Sequence, residues 1–349
     1  LGTRLSSAII PFNENPSGRE SPLNPLLGIE NLSVQFHTEE GVVEAVRNVD
    51  LQMDRGKTLA LVGESCCGKS VTALSILRLI ATPPGKYESG QILFTGSDLL
   101  KLPEEAMEKI RGNDISMIFQ EPMTSLNPIF TVGDQVAEPI TLHQNKTAEE
   151  ARQLTLETLK KVGLPSPEKR IDQYPHELSG GMKQRVMIAM AIACKPRLLI
   201  ADEPTTALDA TVQAQILELL EELRQRTDMS ILLITHNLGI VAQYADHVAV
   251  MYAGKVVEKA SVEELFESPA HPYTEGLLNS LPKDEPGHRL EAIPGTVPHP
   301  AYIPDGCAFH PRCSKVMPHC KKLLPPDFAV PGSKNRRAAC WLYGEPETQ

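Results

Sequence analysis

The chain has 349 residues, 41% of them hydrophobic, and carries 34 basic against 44 acidic side chains, a net charge of -10. That length allows one large domain or a main domain with an appendage. The acidic balance argues against a nucleic-acid-binding surface as the main business, and no run reaches the ~18 apolar residues of a membrane span.

The first residues show neither a basic region before an apolar core nor an Arg-rich amphipathic helix. The chain is therefore expected to be soluble by itself and cytosolic, reaching a membrane only by docking onto other subunits. Residues 1–26 are rich in Ser, Pro and Asn and read as a mobile tail. Apolar and alternating runs follow at Leu32 to Phe36, Val42 to Val46, and Val49, Leu51 and Met53, and these predict strands. Next comes Leu59-Ala60-Leu61-Val62, running into Gly63-Glu64-Ser65-Cys66-Cys67-Gly68-Lys69-Ser70-Val71 and then a helical pattern through Ala73, Leu74, Leu77 and Ile80. Pro83-Pro84-Gly85 is a break, and further strands are expected at Gln91 to Phe94 and Ile115 to Phe119. Residues 123–193 predict a helical subdomain, in which Thr147-Ala148-Glu149-Glu150 is a capping box opening a helix. Two wholly apolar strands, Leu198 to Ala201 and Ile231 to Ile234, flank a helix marked by Ile216, Leu219, Leu220 and Leu223. Apolar strands alternating with helices mean a parallel sheet covered on both faces, an α/β fold. The main domain is thus expected over residues 27–265. Residues 266–349, with their frequent prolines, are expected to form an irregular extension holding four of the seven cysteines.

The chemistry starts at the Gly-x-x-x-x-Gly-Lys-Ser pattern of residues 63–70. Strand, phosphate loop and helix are the parts a triphosphate needs in that order. Backbone N–H groups curl around phosphate, and the helix N-terminus adds its partial positive charge. Lys69 would reach the β- and γ-oxygens, and the Ser70 hydroxyl would hold Mg²⁺. The strand Leu198-Leu199-Ile200-Ala201 ends in Asp202-Glu203. Asp202 is placed to hold Mg²⁺ and Glu203 to polarise an attacking water. Such a general base contributes typically ~10²- to 10⁴-fold. Together the two motifs point to hydrolysis of ATP or GTP.

Leu178-Ser179-Gly180-Gly181-Met182-Lys183-Gln184-Arg185 supplies a second helix start, and therefore a second anion site. With this stretch the chain resembles the ATP-binding cassette (ABC) ATPases. The order of phosphate loop, Gln120, signature, Asp202-Glu203, Ala207-Leu208-Asp209 and His236 is similar to that family's. The resemblance implies a P-loop nucleotide-binding domain with a RecA-like parallel core, an antiparallel β subdomain and a helical subdomain. It also implies a head-to-tail dimer in which Ser179, Gly180 and Gly181 close on the partner's ATP. It makes Gln120 the loop glutamine that contacts Mg²⁺ and water and senses the transport subunits. His236 becomes the switch on the γ-phosphate, and Asp209 the acid that crosses the dimer. Phe36 is the aromatic placed to stack on adenine, a core Phe being the alternative. Cys66 stands where the family usually has Gly, yet the general pattern accepts any residue there, so binding is expected to survive. Asn237 follows His236 where Asp is common, with little consequence expected.

A closer resemblance, over residues 28–341, is to the ATPase subunits of bacterial dipeptide and oligopeptide importers, a group that includes nickel-type importers. It rests on the strings Gln120 to Pro128, Tyr174 to Met182 and Ala201 to Asp209, on His271-Pro272-Tyr273-Thr274, and on the cysteine tail. It implies ATP-driven peptide import from the cytoplasmic face of the cell membrane. The implied partners are a second ATPase, two membrane permease subunits and, indirectly, an external binding protein, with no nucleic acid. Another cargo such as nickel chelates, and a soluble ABC ATPase not coupled to transport, are the alternatives. The tail reads Cys307-x5-Cys313-x6-Cys320-x19-Cys340. Four clustered thiols in a cytosolic chain suggest metal rather than disulfides. The residues alone leave zinc, with His310 and His319 as further ligands, and an iron–sulfur cluster both open. The family resemblance implies a 4Fe-4S cluster on the four cysteines.

Overall fold

A computed structural model describes residues 25–39, 41–120, 125–206, 208–281 and 292–346. The expected tail at 1–26 lies almost wholly outside these residues, as do positions 121–124 of the Gln120 string and Ala207.

Two long strands come first, β1 (Leu27–Thr38) and β2 (Gly41–Met53), paired antiparallel. Strand β3 (Thr58–Val62) follows and feeds helix α1 (Lys69–Ile76). Then come β4 (Gly85–Phe94), β5 (Ser97–Asp98), α2 (Glu104–Ile110) and β6 (Ile115–Ile118). A helical stretch succeeds them: α3 (Val132–Gln144), α4 (Ala148–Lys161), the single turn α5 (Pro167–Arg170) and α6 (Gly180–Ile192). From there strands and helices alternate through β7 (Leu198–Asp202), α7 (Ala210–Thr227), β8 (Ser230–Thr235), α8 (Leu238–Tyr244) and β9 (His247–Tyr252). A hairpin leads to β10 (Lys255–Ser261), followed by α9 (Val262–Glu267), α10 (Pro272–Asn279) and the short strands β11 (Phe328–Ala329) and β12 (Arg337–Ala338).

The strands form two sheets. A four-stranded antiparallel sheet has the order β2-β1-β4-β5, and an eight-stranded sheet has the order β11-β12-β10-β9-β3-β8-β7-β6. Its inner strands, from β9 to β6, are parallel. The apolar runs explain this burial. Leu198 and Ile200 of β7 face one core with Leu232 and Ile234 of β8, under the antiparallel sheet. Leu199 and Ala201 face the other side with Leu233, against α6 and α7. Both faces are covered, so both residue parities are apolar. The predicted capping box is present at α4, where the Thr147 side chain accepts from Glu150 N–H and the Glu150 carboxylate accepts from Thr147 N–H. The same device opens α3 at Thr131 and Asp134.

The extension, expected to be irregular, holds only short elements among its described residues, yet it is joined to the main domain. Its β12 pairs with β10, Ala338 opposite Glu258, and so continues the main sheet. Glu258 is fully buried and pairs with Arg336 at 2.9 Å, while its oxygens also accept from Ala270 and His271 N–H. Pro272 sits at the first position of α10, where it lacks only an N–H that the helix does not use. Proline density therefore marks short elements here, not absence of order.

Candidate active site

The phosphate loop lies between β3 and α1, directly under β2 and the β9–β10 hairpin. Arg47 N–H bonds Gly254 carbonyl, and Gly254 N–H bonds Cys67 carbonyl, so the hairpin straps the loop. This close approach explains two glycines. A Cβ on Gly63 would stand 2.2 Å from the Met251 carbonyl oxygen, and one on Gly68 2.4 Å from that of Ala45. Cys66 takes a left-handed φ of 62° that costs a non-glycine residue about 1 kcal/mol, and its side chain is exposed. No side chain caps the start of α1 and its first turn holds no acid, so the leading amides are open to an anion. Buried Lys69 turns its Nζ onto the carbonyls of Gly63 at 2.8 Å and Glu64 at 3.0 Å.

Asp202 ends β7 beside Ser70. Burial raises its carboxyl above the usual range, against the opposing pull of the Ser70 hydroxyl and Lys69. Its Oδ1 is buried without a hydrogen-bond partner. An orphaned carboxylate oxygen next to a hydroxyl fits Mg²⁺, which takes one or two protein oxygens and completes its shell with phosphate and water.

Glu203 is the centre of the remaining contacts. Its Oε2 accepts from Gln120 Nε2 at 3.2 Å and from the Thr206 hydroxyl at 2.9 Å, and its Oε1 lies 3.1 Å from His236 Nδ1. Burial works to raise its carboxyl, but the bonds from His236 and Thr206 outweigh it and hold the group below the usual range. Its φ of 47° is a strained position of the kind found at functional sites. Gln120, Glu203 and His236, from three separate strand ends, are thus brought together. Asn237 caps α8 by accepting from Gly239 N–H.

The signature turn stands apart. Ser179 precedes α6 without capping it, and around Gly180 nothing approaches within 4 Å of a would-be Cβ. Asp209 caps α7, accepting from Val212 N–H at 2.9 Å, and is exposed. Phe36 is half-buried, its ring packed against the core near Gly85.

The four tail cysteines line one narrow cavity together with Phe309, Met317 and Trp341. Their thiols are free. Burial pushes Cys307, Cys313 and Cys340 upward, Cys340 to about 11, so a metal would have to displace protons. The donor set suits a thiophilic metal, but no three or more of these side chains form a ready ligand shell.

Comparison with known proteins follows this geometry. The family model "ABC transporter" matches residues 46–206, and the model "Oligopeptide/dipeptide transporter, C-terminal region" matches 257–320. The oligopeptide transport ATP-binding protein OppD of Bacillus subtilis (strain 168) is 51% identical over 319 residues, 91% of this chain and 88% of that one. The chain belongs to the ABC transporter ATPases. The dipeptide transport ATP-binding protein DppD of the same organism is 50% identical over 324 residues, covering 93% and 96%. Among solved structures, the ATP-binding cassette MJ0796, dimeric in a post-hydrolysis state with ADP and Pi, superposes with a TM-score of 0.61 at 27% identity, covering 68% of this chain and 98% of that one. The cassette is an ATP hydrolase, and its fold is the ABC nucleotide-binding fold. Among the described residues no helix is long and apolar enough to cross a membrane.

Sequence reasoning missed four residues of this site. Thr206 holds Glu203, and Gln184 of the signature helix donates to the Pro204 carbonyl at 2.5 Å. Tyr273 and Arg312, both from beyond the cassette, hold Glu64 in the phosphate loop. The pairing of Arg312 with Glu64 spans 248 positions and has no local signal. Strands β9 and β10 also have a sequence signal, the apolar runs Val248 to Tyr252 and Val256-Val257 on either side of Ala253-Gly254, which mark a hairpin.

Proposed function

We propose that this chain energises peptide import from the cytoplasmic face of the membrane, as the peripheral ATPase of an importer. The observation that carries the reading is the 50–51% identity to the oligopeptide and dipeptide transport proteins, which runs through the C-terminal region as well as the cassette. In this reading residues 63–71 cradle the triphosphate, with Lys69 leaving its loop carbonyls for the phosphate oxygens. Ser70, Asp202 and Gln120 hold Mg²⁺, whose charge offsets that of the phosphates when bound. Glu203, kept ionised by His236 and Thr206, accepts the proton of the attacking water. His236 meets the γ-phosphate, and Phe36 stacks on adenine. Ser179, Gly180, Gly181 and Asp209 serve the ATP of a second ATPase subunit, whether another gene product or a second copy. Two permease subunits dock on the exposed apolar side chains Phe119, Ile129, Phe130 and Leu142, beside the groove between β6, α3 and α6. An external binding protein feeds them.

The test is gentle detergent extraction of the tagged protein from its own cells, with mass spectrometry of what co-purifies. Two polytopic membrane proteins and a second ATPase are expected. Recovery purely from the soluble fraction, bound to ribosomes or DNA, would replace transport with the soluble alternative.

We also propose that Cys307, Cys313, Cys320 and Cys340 hold a 4Fe-4S cluster, with zinc as the alternative. Support comes from four free thiols lining one cavity. The role is structural, closing a tail that has little core of its own. Iron and labile-sulfide analysis of anaerobically purified protein is expected to find both, and zinc without iron overturns the cluster.

A further inference from the structure

We infer that Arg312, a residue of the C-terminal extension, is a positioning residue of the ATP site, holding the phosphate loop and neutralising the one carboxylate built into it. Glu64 is the second residue of the loop. Arg312 Nη1 and Nη2 grip its two oxygens at 2.8 and 3.2 Å, a fork-to-fork pair. The guanidinium is held in turn: its Nε donates to the Pro294 carbonyl at 2.9 Å, and it lies over the rings of Tyr252 at 5.8 Å and Phe309 at 6.0 Å. Only 5% of the arginine side chain is exposed. From the same side the Tyr273 hydroxyl accepts from the Glu64 N–H at 3.0 Å. The Glu64 carbonyl meanwhile accepts from Lys69 Nζ. One loop residue is thus fastened at its amide, carboxylate and carbonyl, and two of the three fastenings come from outside the cassette.

The physical need is electrostatic. A carboxylate on a loop that must wrap a polyanion opposes binding unless its charge is cancelled, and a partly buried charge is screened little by salt. Arg312 cancels it and draws the carboxylate toward the extension. The inference rests on the loop binding ATP and not on the cargo or on what fills the cysteine cavity.

The decisive experiment is a double-mutant cycle in the full chain, read as the dissociation constant of a non-hydrolysable ATP analogue. Arg312→Gln leaves Glu64 unpaired and is expected to weaken binding by roughly tenfold or more. Glu64→Gln alone sets the reference affinity of a loop that carries no carboxylate. The double variant, with both charges gone, is expected to bind within about threefold of that reference, because no charge is left for Arg312 to cancel. Hydrolysis should show the same pattern as a raised KM at nearly constant kcat. If Arg312 merely supports folding of the extension, the double variant stays as weak as Arg312→Gln, and the inference falls. It falls equally if Arg312→Gln binds as wild type. Should Arg312→Gln fail to fold, the double variant and Tyr273→Phe, which frees the Glu64 amide, still decide. Normal affinity in Tyr273→Phe together with an unrecovered double variant overturns the proposal.

Discussion

The phosphate loop and the signature turn are both helix starts open to an anion, yet the chain holds them in opposite ways. The loop is strapped by the β9–β10 hairpin, roofed by β2 and fastened from the extension, and its lysine is buried. At the signature, Ser179 and Gly180 are exposed with open space around the glycine. A pocket shaped by its own chain can be filled by ATP alone. A bare helix start needs a second surface to exclude water before its amides bind strongly. The difference teaches that one chain carries one finished half-site and one unfinished one.

The largest expected effect separates chemistry from binding on the finished side. Glu203→Gln should bind ATP normally and turn over at least about 10²-fold more slowly. Normal turnover would remove Glu203 as the base. A sharper test addresses the open side. Gly180→Glu should leave ATP affinity of the isolated chain within about twofold, while turnover in the assembled pair falls by about 10²-fold, because like charges meet across the closed site. Equal loss of affinity in the isolated chain would mean that the two anion sites are not independent. Lys69→Ala should weaken ATP binding roughly 10- to 100-fold by removing a charged donor, measured by equilibrium titration.

The smallest effect concerns the support beneath the loop. Asp246 accepts from Lys57 Nζ at 2.9 Å and from Thr58 N–H at 2.8 Å, clamping the start of β3. Burial works to raise its carboxyl, but these bonds and the nearby Arg224 hold it below the usual range. A lowered native value means that the stabilisation is present above the unfolded value near about 4 and is lost as pH falls through the native one. Asp246→Asn should cost about 1–2 kcal/mol at neutral pH. The gap to wild type in urea unfolding should close in acid, and a gap independent of pH would assign the effect to packing.

Much of the finished half-site could be read from the residues. Gly63 to Ser70 and Asp202-Glu203 are contiguous, and contiguous strings report local chemistry directly. The apolar runs of β3, β7 and β8 announced a doubly covered sheet for the same reason. The prolines of the extension speak only about local backbone, so the pairing of β12 with β10 that joins it to the main sheet could not be read from them.

Motifs and periodicity by themselves determined a doubly covered parallel sheet and the hydrolysis of a nucleoside triphosphate, since each rests on a short string or a local period, while the ABC fold and the need for a partner came with the family resemblance those strings carry. Tertiary structure alone decided how the loop is held. The bonds from Tyr273 and Arg312 to Glu64 join residues 209 and 248 positions apart. No pattern along a chain encodes such a meeting, because it exists only once the sheet has brought the extension back to the loop.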